Sequence, residues 1–571
     1  MGKKKLLFGR NKQNMIFRSD NAVIYDDLHD CLDAVTNDYG SELTQDVVVT
    51  VGTTSTFKNT DRFNFPDFYY HLEDFNTNSN FFLTINGNDK LTMDGNTLGS
   101  FKFTNCSNII IANTRFINIS SLALKNVPEQ TCAVFAQGTS TSIIKNIVVT
   151  NCTVDGVSYI DGELNQGRHA FIFKYLENAS VIDTTIKGMS SYAFDIIGLG
   201  SLSLTNVTYS DGIVNHYILA QPSIINIKST ELLYIEDCDF DMELTEGCVV
   251  SSNLIRLITK RTNYRNSNGE VFRLQGSVRM RLLDIESCIF DNNLKNPFYE
   301  YIKQNIAYDT IDKITFINNT VKLTAIRGNT YFSRFMWGKN VEELNVFNNF
   351  NNNSSESIMF TIVNYLGAYN SDYNVYHDVL TNNNDTLSNK FLDVENETSP
   401  VYLQNIKSLS TLQESGRDIE STFIPFNTEI FNTTLDNVTV AISSLSADDT
   451  KTPTYDYNKQ LIGILHPGAG QEDSTTPIID NVFTFNGIDT FSETNFDYSA
   501  QYQPFSNNNL IFISQSNKPS TLFKWEFEDE DTNITTYYGN ALNLILFSKL
   551  DNENNYIGTL TYNINLTDVT I

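Results

Sequence analysis

The sequence predicts an all-β chain: a parallel β-helix, that is, a solenoid of short strands, opened by a short N-terminal capping helix and followed by a C-terminal β-rich domain. Two observations carry this expectation. A degenerate unit of Asn or Asp, then a small or polar residue, then an apolar residue recurs about every thirty residues, within the range of solenoid repeats. A second series of short apolar strands falls between the members of the first and in phase with them, so each coil holds at least two strands. Composition agrees, since 571 residues with 39 Phe and 28 Tyr but 11 Pro favour many short strands over long helices.

The clearest copy of the unit is FKFTNCSNIIIANTRFIN, Phe101 to Asn118. The first series ends its copies at Phe116, Val154, Ile186, Tyr209, Phe240, Tyr264, Phe290, Val321 and Phe350. The second is centred on Phe135, Ile172, Asp195, Val249, Arg273, Tyr299, Arg334 and Phe360. Hairpin signals are few at the corners, which argues for parallel pairing between coils and against an antiparallel sandwich. Equivalent Asn and Thr residues are placed to hydrogen-bond along the stack.

At the start, Asp26 and Asp27 are helix-capping residues for a segment whose Leu28, Cys31, Leu32 and Val35 fall on one face, with Gly40 as the stop. The strand QDVVVTVG follows, and helix and strand together are expected to plug the end of the core. Residues 53–80, aromatic and irregular, read as a loop or a lateral excursion from the first coil. The organisation is therefore a basic tail or docking segment over 1–24, the β-helix over 25–443 with regular coils at about 81–360, and a β-rich domain over 444–571. The last boundary rests on a cluster of Pro residues, longer strands and loss of the ladder.

A formal charge of -28 disfavours nucleic acid as a partner. The exception is the beginning, where Lys3, Lys4, Lys5, Arg10, Lys12 and Arg18 precede the first acid, either as a disordered tail or as a peptide that docks on an acidic partner in a particle. That stretch lacks the apolar core of a secretory signal, and no apolar run approaches the ~20 residues of a membrane span. Seven scattered Cys with no CxxC pair support neither disulfides nor zinc. Cys152, Cys238 and Cys288 share one place in the repeat and read as buried thiols.

INGNDKLTMDG followed by FKFTNCSNIIIANTRFIN resembles the opening coils of the right-handed parallel β-helix superfamily that includes pectate lyases, polygalacturonases and phage tailspikes. The resemblance covers roughly residues 25–360 and speaks to fold. It implies a right-handed coil and, in tailspikes, a homotrimer. In the family's enzymes it implies carboxylates on the outward face of one sheet, because glycoside cleavage needs two of them ~5–9.5 Å apart. If Cys132, Val134, Phe171 and Phe194 point inward, then Ala133, Phe135, Ile172, Lys174, Asp195 and Arg273 point outward. Asp195 is the best candidate acid or base, with His169 and Glu270 nearby in register, and Phe135, Ile172, Lys174 and Arg273 are candidates to face a glycan or partner. The polygalacturonase motifs have only DGELNQGRHA as an echo, and LYIEDCDF lacks the His of the pectate lyase strand it imitates. No metal site or cofactor is expected.

The expectation for function is a structural or receptor- and glycan-binding virion protein of a tailed phage, of the tailspike or fibre kind, with other virion proteins and a host surface glycan as partners. Alternatives are a polysaccharide lyase or glycoside hydrolase with a groove on the second ladder, and a cell-surface adhesin.

Overall fold

A computed structural model describes residues 14–58, 68–95, 98–119, most of 132–425, and strands and turns between 482 and 569. Its centre is one sheet of 33 strands among the described residues, in which successive circuits of the chain pair in parallel. This all-β arrangement is consistent with a parallel β-helix.

The helix forms as the sequence predicts. It spans Leu28–Tyr39, the Asp27 carboxylate accepts the N–H of His29, and Gly40 stops it at φ 66° while donating to the Thr36 carbonyl at 2.8 Å. Leu28, Cys31, Leu32 and Val35 are its buried face. Val47–Val51 then begins the parallel pairing by aligning with Leu83–Asn86.

The first series holds in register from Phe116 through Val154, Ile186, Tyr209, Phe240, Tyr264 and Phe290 to Val321. At the next step Val321 aligns with Asn351, so the expected Phe350 is one residue early. The second series pairs Phe135, Ile172, Asp195 and Arg273 as expected, but a circuit at Ile225–Ile227 was not anticipated, and Val250, Lys303, Trp337 and Thr361 occupy the positions assigned to Val249, Tyr299, Arg334 and Phe360. Pairing also starts earlier than expected: Phe68–Glu73, inside the supposed loop, aligns with Gly99–Thr104. It continues later, to Thr422–Pro425. The sequence NTTLDNVTV at 432–440 reads as a late coil of the same repeat and lies outside the described residues.

Each circuit carries a third ladder that the sequence reading did not separate, running through Ile109–Ala112, Ile144–Thr150, Ala179–Ile182, Leu202–Thr205, Leu232–Glu236 and onward. Between this ladder and the first sits the corner that explains the recurring Asn or Asp. Asn113, Asn151, Asp183 and Asn206 all have φ near 50° there, which Asn and Asp tolerate better than other side chains. Their amides also join neighbouring circuits, as Asn151 Nδ2 donates to Asn113 Oδ1 at 2.6 Å and Asn206 Nδ2 to Asp183 Oδ1 at 2.6 Å.

The next residue faces the core. Cys152, Cys238 and Cys288 occupy it, fully buried, with burial pushing the Cys152 and Cys288 thiols up to about 12. Further along, the same place holds Asn319, Asn349 and Asn374, which donate in turn to Asn349 Oδ1, Asn374 Oδ1 and Asp418 Oδ1 at 3.0–3.1 Å. Apolar core and polar stack are thus alternative fillings of one position.

Among the described residues, two four-stranded antiparallel sheets lie toward the C-terminus. One contains Asn495–Ser499, Leu522–Glu528, Ile534–Tyr538 and Thr559–Val569. The C-terminal strands fold back onto the outer side of the third ladder. Phe82, Ile110, Val148 and Ile182 from the parallel sheet pack with Leu522, Tyr538 and Val569, and Leu232, Tyr234 and Ile258 pack with Ala541. The approach at Gly539 is so close that a Cβ there would meet Ser180 Oγ at 2.2 Å, and its φ of 137° also calls for glycine.

Candidate functional site

The candidate site is the outer face of the second ladder. Alternation sends Val134, Ala136, Phe171, Phe173 and Phe194 into the main core, while Phe135 and Ile172 fall on the opposite side of the same strands. The phase slips at the strand start, however. Ala133, expected outward, belongs to the main core, and Cys132, expected inward there, packs with Phe68, Phe135 and Ile172. Phe135 and Ile172 face outward but are only 1% exposed, so they form the apolar floor of this face and are not themselves free contact surfaces.

Register then brings cations over that floor. His71, Lys102, Phe135, Ile172, Asp195 and Asn226 occupy one row across successive circuits. Lys102 Nζ lies 5.7 Å from the Phe135 ring centroid and 5.9 Å from that of Phe68, while Lys174 Nζ lies 5.3 Å from the Phe135 centroid. Two ammonium groups, from the strands on either side, therefore lie near one ring, an arrangement in which the aromatic quadrupole offsets part of their repulsion. Burial lowers the Lys174 pKa, Asp195 opposes that shift and Lys228 adds to it. His71 is likewise held below its ordinary value by burial and by Lys102.

Asp195 is met by Asn226, whose Nδ2 donates to Oδ1 at 2.7 Å, a partner 31 residues away that only the ladder register reveals. His169 and Glu270 are placed elsewhere. His169 is buried, its Nδ1 lies 2.9 Å from the Tyr192 carbonyl oxygen, and its ring stacks on Tyr192. Glu270 is buried and accepts from Arg273 Nε at 2.9 Å, so that ion pair binds the expected glycan-facing Arg273 back to its own strand. Asp195 and the strand of Arg273 are three circuits apart, or ~14 Å at ~4.8 Å per strand. The three candidates do not form the closely spaced pair that glycoside cleavage requires.

Among the docking cations, Arg18 is a correction. It lies in the strand Ile16–Arg18, 4% exposed, and is paired with Asp20 at 2.5 Å and Asp38 at 2.6 Å. This strand pairs with Val49–Val51, so residues 16–18 belong to the fold and not to a tail. Lys3, Lys4, Lys5, Arg10 and Lys12 lie outside the described residues. No group of His, Cys, Asp and Glu suited to a metal ion occurs among the described residues, and none of their helices is long and apolar enough to cross a membrane.

Sequence reasoning missed Lys102, Asn226 and Lys228. Lys102 sits in the most regular copy of the repeat, and its outward alternation from Phe101 and Phe103 was the available signal. No family model, curated protein or solved structure matches the chain. The architecture and this face carry the functional reading.

Proposed function

We propose that the chain is a right-handed parallel β-helix virion protein of the tailspike or fibre kind, homotrimeric, that binds an anionic surface glycan through the outer face of the second ladder. The observation that supports it is the pair of lysines, Lys102 and Lys174, held over the Phe135 ring on a chain whose formal charge is -28. Lysines gathered on one face of so acidic a molecule, on adjacent rows, create a local field that favours a carboxylate- or sulfate-bearing polymer. The aromatic and aliphatic floor keeps the row flat, and strand spacing sets it along the long axis of the sheet.

Binding of polygalacturonate, colominic acid, chondroitin sulfate and dextran, measured by biolayer interferometry on the purified chain, tests the reading. At least one acidic polymer is expected to bind, with affinity falling as salt rises, and dextran is not expected to compete. Equal binding of dextran and the acidic polymers, or binding that survives Lys102→Glu with Lys174→Glu, contradicts it. Light scattering at micromolar concentration tests the oligomer, where a monomer argues against the fibre assignment.

A further inference from the structure

A second feature lies away from the cationic row, where the first circuits meet the C-terminal sheet. A groove of about 690 Å3 opens between the segments 42–46 and 78–82 on one side and the strands Leu522–Glu528 and Ile534–Tyr538 on the other. That volume is in the range of small-molecule sites, ~300–1,000 Å3. We propose that this groove binds a short neutral oligosaccharide, at a site distinct from the second-ladder face and independent of whether that face binds an acidic polymer.

Three observations lead to this ligand chemistry. First, the walls are joined and shaped without a ligand: Phe82 meets Tyr538 edge to face at 4.6 Å, and Asn80 Nδ2 donates to the Ile534 carbonyl at 3.2 Å. Secondly, large apolar side chains remain open in the groove. Phe81 is 41% exposed and Ile534 is 49% exposed, which leaves a ring for the C–H face of a sugar to lie against. Thirdly, the polar lining is rich in hydroxyl acceptors. Asp46 uses Oδ1 to accept the Phe82 N–H at 2.8 Å, and no described side chain or backbone group is hydrogen-bonded to its Oδ2. Glu526 is held by Lys524 at 2.6 Å.

Charge selects among saccharides. The groove has the carboxylates of Glu42, Asp46 and Glu526 against the single ammonium of Lys524. A uronate or sulfate would be repelled, while sugar hydroxyls can donate to carboxylate oxygens in charge-assisted hydrogen bonds. Glu42 is already committed, accepting from Thr77 Oγ1 at 2.9 Å and from the backbone N–H groups of Asn78 and Ser79 at 3.1 and 2.9 Å. It shapes the wall, as Glu526 does through its ion pair with Lys524, and Asp46 and Phe81 are placed to contact the sugar.

Calorimetric titration of the full chain with maltotriose, cellotriose, chitotriose and an oligolysine peptide tests the proposal. At least one saccharide is expected to saturate below ~10 mM. Phe81→Ala should weaken it about tenfold, the size of a lost ring contact, and Ile534→Trp, which fills the groove mouth from an exposed position, should weaken it as well. Both variants are checked by thermal melting. Lys102→Glu with Lys174→Glu should leave this binding unchanged, so loss of acidic-polymer binding and loss of neutral-sugar binding are separable. Failure of every saccharide to saturate, affinity unchanged in either groove variant, or an oligolysine that binds here and excludes the sugar overturns the proposal.

Discussion

Two outer faces of the same parallel sheet have been treated in opposite ways. On the third ladder the outward positions Ile110, Val148 and Ile182 are apolar and are sealed by Leu522, Tyr538 and Val569. On the second ladder the outward row has Lys102, Phe135, Ile172, Asp195 and Asn226, with Lys174 from the next row also over Phe135. Backbone geometry is common to both, so the difference is written entirely in alternate residues of short strands. An apolar outward row recruits the chain's own C-terminal strands, and the cationic face with an aromatic floor is the one we propose for a ligand.

The largest effects should come from disturbing the sealed face. Val148→Asp places a charge where exposure is 0% and where the surroundings are Phe82, Ile110 and Tyr538. It should cost more than ~3 kcal/mol and release the C-terminal strands to protease, read by limited proteolysis followed by mass spectrometry. Unchanged cleavage would mean that the two modules are not packed as described. Gly539→Val should act in the same direction, since the added side chain collides with Ser180.

Next in size is the shared interior. Asn349→Ala removes the acceptor for the Asn319 backbone N–H and side-chain amide and the donor to Asn374 Oδ1 and the Phe316 carbonyl, leaving the buried Asn319 N–H without its acceptor. About 2–3 kcal/mol of stability should be lost, visible as a lower denaturation midpoint in urea. A change within ~0.5 kcal/mol would show that the Asn stack contributes little.

The seam between sheet and C-terminal strands should also respond to pH. Burial raises the Glu177 carboxyl above its ordinary value, with Lys145 and the Tyr537 hydroxyl acting against that shift. The folded state therefore holds its proton more tightly than the unfolded chain. Stability should fall as pH rises from the unfolded carboxyl value, ~4.3, through the folded one, and be flat above it. Glu177→Gln should raise the melting temperature at pH 7 and flatten this slope. A Gln variant with the wild-type slope would assign the dependence to another group.

The smallest stability change belongs to the open face. Lys102→Ala with Lys174→Ala removes three cation–π contacts and should alter stability by only about 1–2 kcal/mol, while the binding of acidic polymer falls sharply. If this pair destabilised the chain as much as Val148→Asp, the contrast between the faces would fail.

How far the sequence could be read follows from the same contrast. The first ladder was legible because each copy has an Asn or Asp at a positive-φ corner followed by a core residue, as in Asn151 and Cys152. The third ladder was not, because Ile109–Ile111 and Ile147–Val149 read as continuous apolar runs; their outward residues are buried beneath the C-terminal strands, which erases the alternation. The circuit at Ile225–Ile227 is only three residues long, too short to show a period. Asp195 and Lys174 were found by alternation, but the Asn226 partner depends on a register set by loops of unequal length. Arg18 read as a tail cation because its partners Asp20 and Asp38 meet it only after the chain folds. Phe135 and Ile172 read as exposed because alternation gives the face of a strand and not what else packs on it.

Hydrogen–deuterium exchange, with and without the acidic polysaccharide that binds best, tests the contrast between the two faces most directly. New protection is expected in Gly99–Thr104, Cys132–Gln137 and the 171–174 stretch of His169–Ile182, with no change in Ile144–Thr150, which the C-terminal strands already cover. Protection that appears on the third ladder, or on the C-terminal strands instead of the second ladder, would contradict the account.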